Sequence, residues 1–550
     1  MKQTTYSQIW KLMDTLRSQL SFQDSIDLLS TLIAAKLISN NNKILSIDEA
    51  NSIIAKKYDV LVNYEIQDKI RDQKLMVHFL NEINTINFDN TIVEWLLEKS
   101  TQSKFGMIYD FKPGSVKDLA KIVQISSEGV IADINANLSS FIKEVIKNNK
   151  FTGKVILYGK TITQLRLSFI NIFPVNRNIE LRLVGNTVPV EVNQKFDFVF
   201  AMPPFGLRYA EDPIPKIIKS SKQFLKQKGS MILVTPSGFL FNSKYKQERN
   251  ILLNHFNIDS IIHLTNAFKP YTAIETALFH IINEKSTHKK IFVAELNFLD
   301  DSFDDIKTII NAYKAHLNNK TIKNVSPLTN RVTKEDLKDD FIIRRFDPKT
   351  LILEEKISKK YKIENLGYLC DIKRSNSRYS SKDYVQSKNN TLPYIRIQDI
   401  KEGSINIEKS QRVIRKNPKE LTLKENDVLL SVSGIIGKIG LVDKKSKGSL
   451  ISHGLVVLRI KNNSVDPVYL YHIFQSEYVL NQLNNMSQGG IIPHISIKQL
   501  EELKIPIIPL TKQRAVISKI KKISKQLEDI KKKKDRLEKE LQKQLKEVFL

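Results

Sequence analysis

Between residues 105 and 345, short runs of apolar residues alternate with segments whose apolar residues have helical spacing. The runs are KVILYG, FDFVFAM, GSMILVTPS, DSIIHLT, TALFHII and IFVAEL. This alternation is typical of a sheet whose strands are joined by crossover helices. The sequence therefore predicts an α/β domain at 105–345 as the centre of a multidomain α/β chain.

The regions on either side have different patterns. Residues 1–100 carry helical apolar spacing interrupted by polar turns such as SNNNK, which predicts a helical domain. Residues 360–510 read as short strands with many turns and few long helices, which predicts an α+β domain. A chain of 550 residues is too long for one ordinary core, so several domains are expected.

Residues 511–550 read as one helix with 14 basic and 6 acidic residues. Its apolar residues follow mostly three- and four-residue spacing: Ile520, Ile523, Leu527, Ile530, Leu537, Leu541 and Leu545. This pattern predicts a coiled coil. Lys534 falls on the apolar seam, which favours a local or antiparallel pairing over a long zipper.

The charge balance favours a nucleic-acid partner. The chain has 86 Lys and Arg against 59 Asp and Glu, a formal charge of +27, with a pI of about 9.6. Such an excess is expected of a protein that contacts phosphate backbones. The alternative explanation is compositional, because Lys, Asn and Ile are abundant throughout, as an AT-rich genome would produce.

The cysteine, histidine and hydropathy patterns limit which classes of protein and which kinds of site remain possible. Cys370 is the only cysteine, which excludes an internal disulfide and a cysteine-built zinc site and fits a reducing compartment. None of the 9 histidines has a metal-ligand spacing, so no metal is expected. We find no apolar run of about 18 residues, so we expect a cytoplasmic protein without membrane contact.

Several long strings resemble type I restriction-modification proteins. The first 345 residues are similar to the modification subunit, an N6-adenine DNA methyltransferase, and 360–550 are similar to a half-length DNA-specificity subunit. The strings that carry this resemblance include IWKLMDTLRSQLSFQDSIDLLSTLIAAKLIS, TNRVTKEDLKDDFIIRRFDP, LPYIRIQDIKEGSI, DVLLSVSGIIGKIGLV and GGIIPHISIKQLEELKIPIIPLTKQRAVISKI. The resemblance implies a modification-type helical domain at 1–100, a Rossmann-like methyltransferase domain at 105–345, a target-recognition domain at 360–510 and the coiled-coil helix at 511–550.

The resemblance also implies a site for S-adenosylmethionine, and this sequence departs from it. The glycine-rich turn after the first strand aligns with DINANLSSF, which keeps Asp133 and Phe141 but has Asn137, Ser139 and Ser140 where glycines are usual. Side chains at these positions narrow the close backbone approach that glycine permits. After the second strand, Lys160 and Thr161 stand where the family has the acid that holds the ribose hydroxyls. At the next polar contact along the chain, Asn186 stands where the family usually has Asp.

The catalytic turn of the family, Asn-Pro-Pro-Phe, is here Met202, Pro203, Pro204 and Phe205. The methyl transfer requires a flipped adenine whose exocyclic amine is hydrogen-bonded by the first residue of this turn. A thioether is a weak acceptor and does not replace that amide. We therefore expect a pseudoenzyme that keeps the fold and binds no cofactor. The alternative is an active adenine methyltransferase with an unusual S-adenosylmethionine site.

The specificity-like region supplies the candidates for DNA contact. In this family such a domain reads base edges while basic side chains anchor phosphates. Polar loops and strand ends provide the candidates Arg374, Asn376, Arg378, Arg396, Gln398, Lys438 and Gln488. His453 and His494 lie in strings that resemble the structural framework, so they are interpreted as structural residues.

Assembly follows from the half-length specificity region. The family's specificity subunit carries two target domains and two helices, whereas this chain has one of each. A homodimer through the C-terminal helix would restore the symmetric arrangement on double-stranded DNA. The leading hypothesis is a sequence-specific DNA-binding protein, the DNA sensor of a restriction-like or antiphage defence system with possible further subunits.

Overall fold

The computed structural model describes residues 11–549 with internal gaps. The residues outside the description within that span are 12–13, 17–18, 63–64, 66–68, 70–71, 87–109, 112–114, 185–193, 204–211, 269–271, 273, 286–289, 299–302, 323–327, 339, 376–377, 402, 462 and 487–493. The chain divides into two compact units, Met1–Ile343 and Arg344–Leu550. We call them the N-terminal unit and the C-terminal unit.

The N-terminal unit contains nine described α-helices and one sheet of nine strands. The helices are α1 (Phe22–Ile38), α2 (Ile47–Tyr58), α3 (Gln73–Thr85), α4 (Ser115–Leu119), α5 (Ser140–Asn149), α6 (Ile162–Ile172), α7 (Pro213–Phe224), α8 (Lys246–His255) and α9 (Phe303–Leu317). The strands are β1 (Val130–Asp133), β2 (Lys154–Gly159), β3 (Ile179–Leu183), β4 (Phe196–Ala201), β5 (Leu225–Pro236), β6 (Asn257–Thr265), β7 (Thr276–Ile282), β8 (Ile291–Asn297) and β9 (Thr329–Val332).

The strand order β3-β2-β1-β4-β5-β7-β6-β8-β9 makes a doubly wound sheet. Strands β3, β2, β1, β4 and β5 are parallel neighbours, whereas β7 runs antiparallel to both β5 and β6. The chain builds outward from β1 to β3 and then continues on the other side of β1 with β4. Ligands of such folds bind where the order reverses, at the carboxyl ends of the strands, so the ends of β1 and β4 mark the expected site.

The strands of this sheet carry apolar side chains on both faces. This is expected because parallel strands that lie between helices are buried on both faces. All nine residues of β6 are buried, and the rings of Phe141 in α5 and Phe200 in β4 stack with centroids 4.8 Å apart. The N-terminal helices share this core. Arg166 in α6 is fully buried and forms an ion pair with Asp27 in α1, with Nη2 and Oδ1 2.8 Å apart.

The C-terminal unit combines small, mostly antiparallel sheets with six described α-helices. Its helices are α10 (Pro348–Ser358), α11 (Leu366–Leu369), α12 (Pro467–Ile473), α13 (Glu477–Met486), α14 (Ile497–Glu501) and α15 (Leu510–Phe549). Its strands are β10 (Lys362–Asn365), β11 (Cys370–Arg374), β12 (Tyr384–Val385), β13 (Leu392–Ile395), β14 (Ile400–Lys401), β15 (Ser404–Ile405), β16 (Gln411–Val413), β17 (Val428–Ser431), β18 (Ile439–Leu441), β19 (Leu450–Ile451), β20 (Leu455–Ile460) and β21 (Lys504–Ile507).

Two four-stranded sheets form the centre of this unit, with orders β11-β20-β17-β18 and β12-β16-β13-β19. The long helix α15 is anchored at its start. Gln513 is fully buried, and its amide donates to the carbonyls of Ser464 and Ile508. Ile517 packs in the core of the unit. The predicted single C-terminal helix is confirmed, and its pairing as a coiled coil stays a prediction.

Candidate functional site

The loop after β1 is held closely by hydrogen bonds to Asp133. The Asp133 side chain is buried, Ser139 Oγ donates to its Oδ2 at 2.8 Å, and the amide of Asn135 donates to Oδ1 at 3.1 Å. Burial raises the pKa of Asp133 to about 7 and that of the nearby Asp110 to about 6. Two buried carboxyl groups with raised pKa values therefore lie at this loop.

Side chains occupy the loop where the resemblance calls for glycines. Asn137 is 6% exposed and Ser139 is 4% exposed. Ser139 adopts a left-handed backbone with φ of 56°, a conformation that suits glycine and costs a side chain about 1–2 kcal/mol. The amide of Asn171 donates to the carbonyl of Leu138 at 2.8 Å, which ties the loop to α6.

The polar positions after β2 offer no carboxylate. Lys160 follows Gly159, the last residue of β2, and partial burial lowers its pKa. Thr161 caps α6, since its hydroxyl accepts from the amide of Gln164 at 3.2 Å. Asn186, the third predicted position, lies outside the described residues.

The turn after β4 begins in the core. Met202 is 4% exposed and packs in the same apolar cluster as Phe198 and Phe200. Pro203 is also buried. Pro204 and Phe205 fall in the segment that the structure does not describe. The described part of this turn therefore presents an apolar side chain at the end of β4, beside the end of β1.

These residues do not match the contacts by which a doubly wound fold holds a nucleoside ligand such as S-adenosylmethionine. A nucleoside needs close backbone approach at the first loop and an acceptor for its ribose hydroxyls after the second strand. The loop instead carries buried Asn137 and Ser139, and Lys160 and Thr161 supply a cation and an already engaged hydroxyl. The described residues thus keep the strand order of a doubly wound site, and they offer neither a glycine at the first loop nor a carboxylate directly after β2.

A second candidate site lies in the C-terminal unit, in a cleft of about 380 Å³. We call it the arginine-histidine cleft. It is lined by Arg374, Ser375, Arg378, Ser433, His453 and His494. Arg374 ends β11, Ser433 belongs to the loop between β17 and β18, and His453 lies between β19 and β20. Among the described residues that line it, every side chain can donate a hydrogen bond and none is acidic.

Arg374 has free hydrogen-bonding capacity in this cleft. Its Nε and Nη2 atoms are buried and have no partner among the described residues, and burial lowers the pKa of the guanidinium. His494 pairs through its backbone with Ser433 in an isolated antiparallel bridge. Burial, assisted by the positive charge of Arg374, lowers the pKa of His494, so this imidazole is neutral at neutral pH.

The other predicted DNA contacts lie elsewhere in the unit. Arg396 forms an ion pair with Asp399, with Nε and Oδ2 3.1 Å apart, and Gln398 accepts from Arg396 Nη2 at 2.8 Å once its amide is oriented to satisfy both groups. Lys438 ends the β17–β18 loop, where its amide donates to Ser431 Oγ at 2.8 Å. Asn376 and Gln488 lie outside the described residues. The structure thus brings together Arg374 and Arg378, and separately Arg396 and Gln398.

The positive charge of the chain is concentrated in the C-terminal unit. Residues 344–550 contain 42 Lys and Arg against 23 Asp and Glu, so this unit carries +19 of the formal +27. A charge concentrated in one unit is not explained by a uniform compositional bias. It favours an electrostatic partner for that unit.

The described residues form neither a metal cluster nor a membrane-spanning helix. No group of three or more His, Cys, Asp or Glu side chains in the described part of the chain could hold a metal ion. None of the helices that the structure describes is long and apolar enough to cross a bilayer.

The fold and the sites define a multidomain α/β protein in which one unit holds a doubly wound sheet and the other holds smaller, mostly antiparallel sheets. Residues 89–342 match the N-6 DNA methylase family, and residues 358–547 match the type I restriction modification DNA specificity domain. The chain therefore joins a region similar to N-6 DNA methylases to a region similar to type I DNA specificity domains.

Individual relatives match parts of the chain. The MjaVIII type I restriction enzyme specificity subunit of Methanocaldococcus jannaschii is 28% identical over 124 residues, 22% of this chain and 29% of the relative. The EcoAI specificity subunit of Escherichia coli is 30% identical over 102 residues, 18% of this chain and 17% of the relative. The matches thus span less than a third of these curated relatives.

A solved structure resembles nearly the whole chain. The type IIG restriction endonuclease BpuSI superposes with a TM-score of 0.51 at 13% identity, covering 94% of this chain and 75% of BpuSI. At this identity the likeness concerns the fold alone. It supports the multidomain α/β architecture predicted from the sequence.

Four side chains of the arginine-histidine cleft were not among the predicted DNA contacts. His453 and His494 were interpreted from the sequence as structural, and neither Ser375 nor Ser433 was selected, yet all four line the cleft with Arg374. The strings ISHG and IPHIS carry no local signal, because the bridge between Ser433 and His494 joins distant parts of the chain. A polar cleft assembled from four separate segments is recognisable only after folding.

Proposed function

We propose that this protein is a sequence-specific double-stranded DNA-binding protein of the restriction-modification type. The observation that carries the proposal is the +19 charge of the unit that matches the DNA specificity domain. In this proposal basic side chains of the unit anchor phosphates, while polar side chains of its loops read base edges. The protein acts in the cytoplasm as the DNA sensor of a restriction-like or antiphage defence system, with further subunits that act after recognition.

The N-terminal unit is, in this proposal, a methyltransferase fold that transfers no methyl group. Buried Asn137 and Ser139 at the first loop, Lys160 after β2 and Met202 after β4 support this assignment. Any one of these departures could be tolerated. Together they remove the close approach, the ribose acceptor and the base-orienting acceptor that the reaction needs.

A second candidate function is an active S-adenosylmethionine-dependent N6-adenine DNA methyltransferase. The observation that favours it is that Asp133 is retained at the end of β1, next to β4 at the point where the strand order reverses. The two functions differ in cofactor binding, so one titration separates them.

Duplex DNA binding is expected to weaken steeply with salt. A protein that makes six or more phosphate contacts loses on the order of a thousandfold in affinity between about 50 and 200 mM salt. Fluorescence anisotropy with a labelled duplex selected from a randomised pool measures this slope, and an unselected duplex serves as the control for specificity. An affinity that does not change with salt, or no binding to any duplex, would contradict the proposal.

S-adenosylmethionine is expected neither to bind at micromolar concentration nor to support methylation. The reason is that positions 137 and 139 are not glycines and that neither position 160 nor position 161 is an acid. Isothermal titration calorimetry and transfer of tritiated methyl groups to the selected duplex check the two parts. Replacing Met202 with asparagine is expected to restore neither, because the cofactor contacts lie elsewhere. Stoichiometric heat or transferred label in the unmodified protein would favour the second function.

A further inference from the structure

The arginine-histidine cleft is built from side chains on four separate segments. Arg374 ends β11, Ser375 and Arg378 follow it, Ser433 lies on the β17–β18 loop, His453 lies between β19 and β20, and His494 precedes α14. The described lining holds two guanidinium groups and no carboxylate, so the cleft is positively charged and suits an anionic group such as a phosphate.

The geometry of the cleft is fixed before any ligand arrives. Gly434 turns the β17–β18 loop with φ of 75°, in the left-handed region, and Ser431 closes the loop by donating to the carbonyl of Lys438 at 2.8 Å. The bridge between Ser433 and His494 joins this loop to the segment before α14. A preformed site loses less conformational freedom on binding, which favours affinity.

Arg374 has hydrogen-bond donors that lack partners among the described residues. Two of its guanidinium nitrogens, Nε and Nη2, are buried without a partner among the described residues. A buried charged donor that is left unpaired costs free energy, and a phosphate satisfies two such donors at once in bidentate geometry. The exposed Arg378 adds a second positive charge at the same cleft.

We propose that the arginine-histidine cleft binds a backbone phosphate of the DNA duplex, held by the guanidinium groups of Arg374 and Arg378 and by a hydrogen bond from His453. This inference rests on the proposed DNA-binding function and assigns a new role to His453. A phosphate held here positions the duplex on the C-terminal unit and carries no sequence information itself.

The first test measures duplex affinity and its salt slope for the variants R374Q, R378Q and H453N of the full chain. Each arginine substitution is expected to weaken binding about tenfold on selected and unselected duplexes alike and to reduce the salt slope by about one. The matched control is K388Q, which removes an equal charge from the exposed Lys388 outside the cleft. An effect of R374Q and R378Q no larger than that of K388Q would overturn the proposal.

The second test locates the phosphate. Single neutral methylphosphonate linkages are scanned along the selected duplex, and one position is expected to weaken the unmodified protein about tenfold while leaving R374Q unchanged. No such position would overturn the assignment to a backbone phosphate. Competition by inorganic phosphate at millimolar concentration, without any effect of the scan, would point to a free anion instead.

The outcomes separate this inference from the function on which it rests. If the unmodified protein binds no duplex, both the inference and the proposed function fail. If it binds with a steep salt slope but the variants match the control, the function stands and only the cleft assignment falls. Thermal melting accompanies each variant, and should R374Q unfold, the exposed Arg378 and the scan still decide the result.

Discussion

Replacing Asp27 with alanine is expected to lower the free energy of unfolding of the N-terminal unit by about 3–5 kcal/mol. The substitution leaves the guanidinium of Arg166, which is 0% exposed, as an uncompensated buried charge. Asp27 also accepts from Thr163 Oγ1 at 2.6 Å, and its carbonyl accepts from Arg166 Nη1 at 2.8 Å. The ion pair and these bonds join α1 to α6, so we expect the loss to loosen the N-terminal helices from the sheet.

Urea unfolding of the full chain, followed by circular dichroism, measures the effect. The matched control is E335A, because Glu335 and Lys338 form an exposed ion pair whose removal is expected to cost about 0.5 kcal/mol or less. The double variant D27A/R166M removes both charges and is expected to recover most of the loss. A D27A effect no larger than that of E335A would contradict the expectation.

The six apolar runs that the sequence marked as strands all appear in the structure, as β2 and β4 to β8. They could be predicted because strands buried on both faces must be nearly continuous in apolar residues. The edge strand β3 (Ile179–Leu183) escaped the pattern, because its side chains are only partly buried and alternate with charged residues. The central strand β1 (Val130–Asp133) was not among the six runs either, because it has only four residues. Apolar runs thus reveal long buried strands more readily than short strands or edge strands.

The candidate sites show the same division between local and distant signals. Arg374 and Arg378 could be proposed from a short basic loop, but their neighbours His453 and His494 could not. Arg396 was also proposed as a DNA contact because of its basic side chain. The structure pairs it with Asp399, which lies three residues further along the chain. The sequence shows the chemistry of each residue, whereas the structure shows which charged groups already have partners, whether these lie nearby in the chain, as Asp399 does, or far away.

The loop after β1 is held in its conformation by contacts within the chain. Ser139 takes the left-handed conformation that glycine would adopt, and its hydroxyl donates to Asp133, which offsets part of the backbone cost. The stacked rings of Phe141 and Phe200 hold the start of α5 against β4. These local contacts stabilise the turn.

Placing a lysine in the apolar stripe of α15 is expected to weaken self-association by a hundredfold or more, about 3 kcal/mol. The stripe consists of Ile523, Leu527, Ile530, Leu537, Leu541 and Leu545, each 41% to 64% exposed. A stripe of this kind on a lone chain is an aggregation liability, so a second copy of α15 is the proposed cover. In an antiparallel two-fold pair that overlaps the whole stripe, Lys534 lies at the dyad, and Leu527 faces Leu541.

The variant L541K tests this pairing, and because of the two-fold symmetry it introduces two lysines opposite leucines. The matched control is Q542K, which adds the same charge at the neighbouring exposed position beside the stripe. Sedimentation equilibrium is expected to show a dimer for the unmodified protein and Q542K, and a monomer for L541K at the same concentration. K534L is expected to tighten the dimer, because it removes two like charges from the dyad. A monomeric unmodified protein well above micromolar concentration would refute the homodimer and leave α15 to pair with a separate subunit.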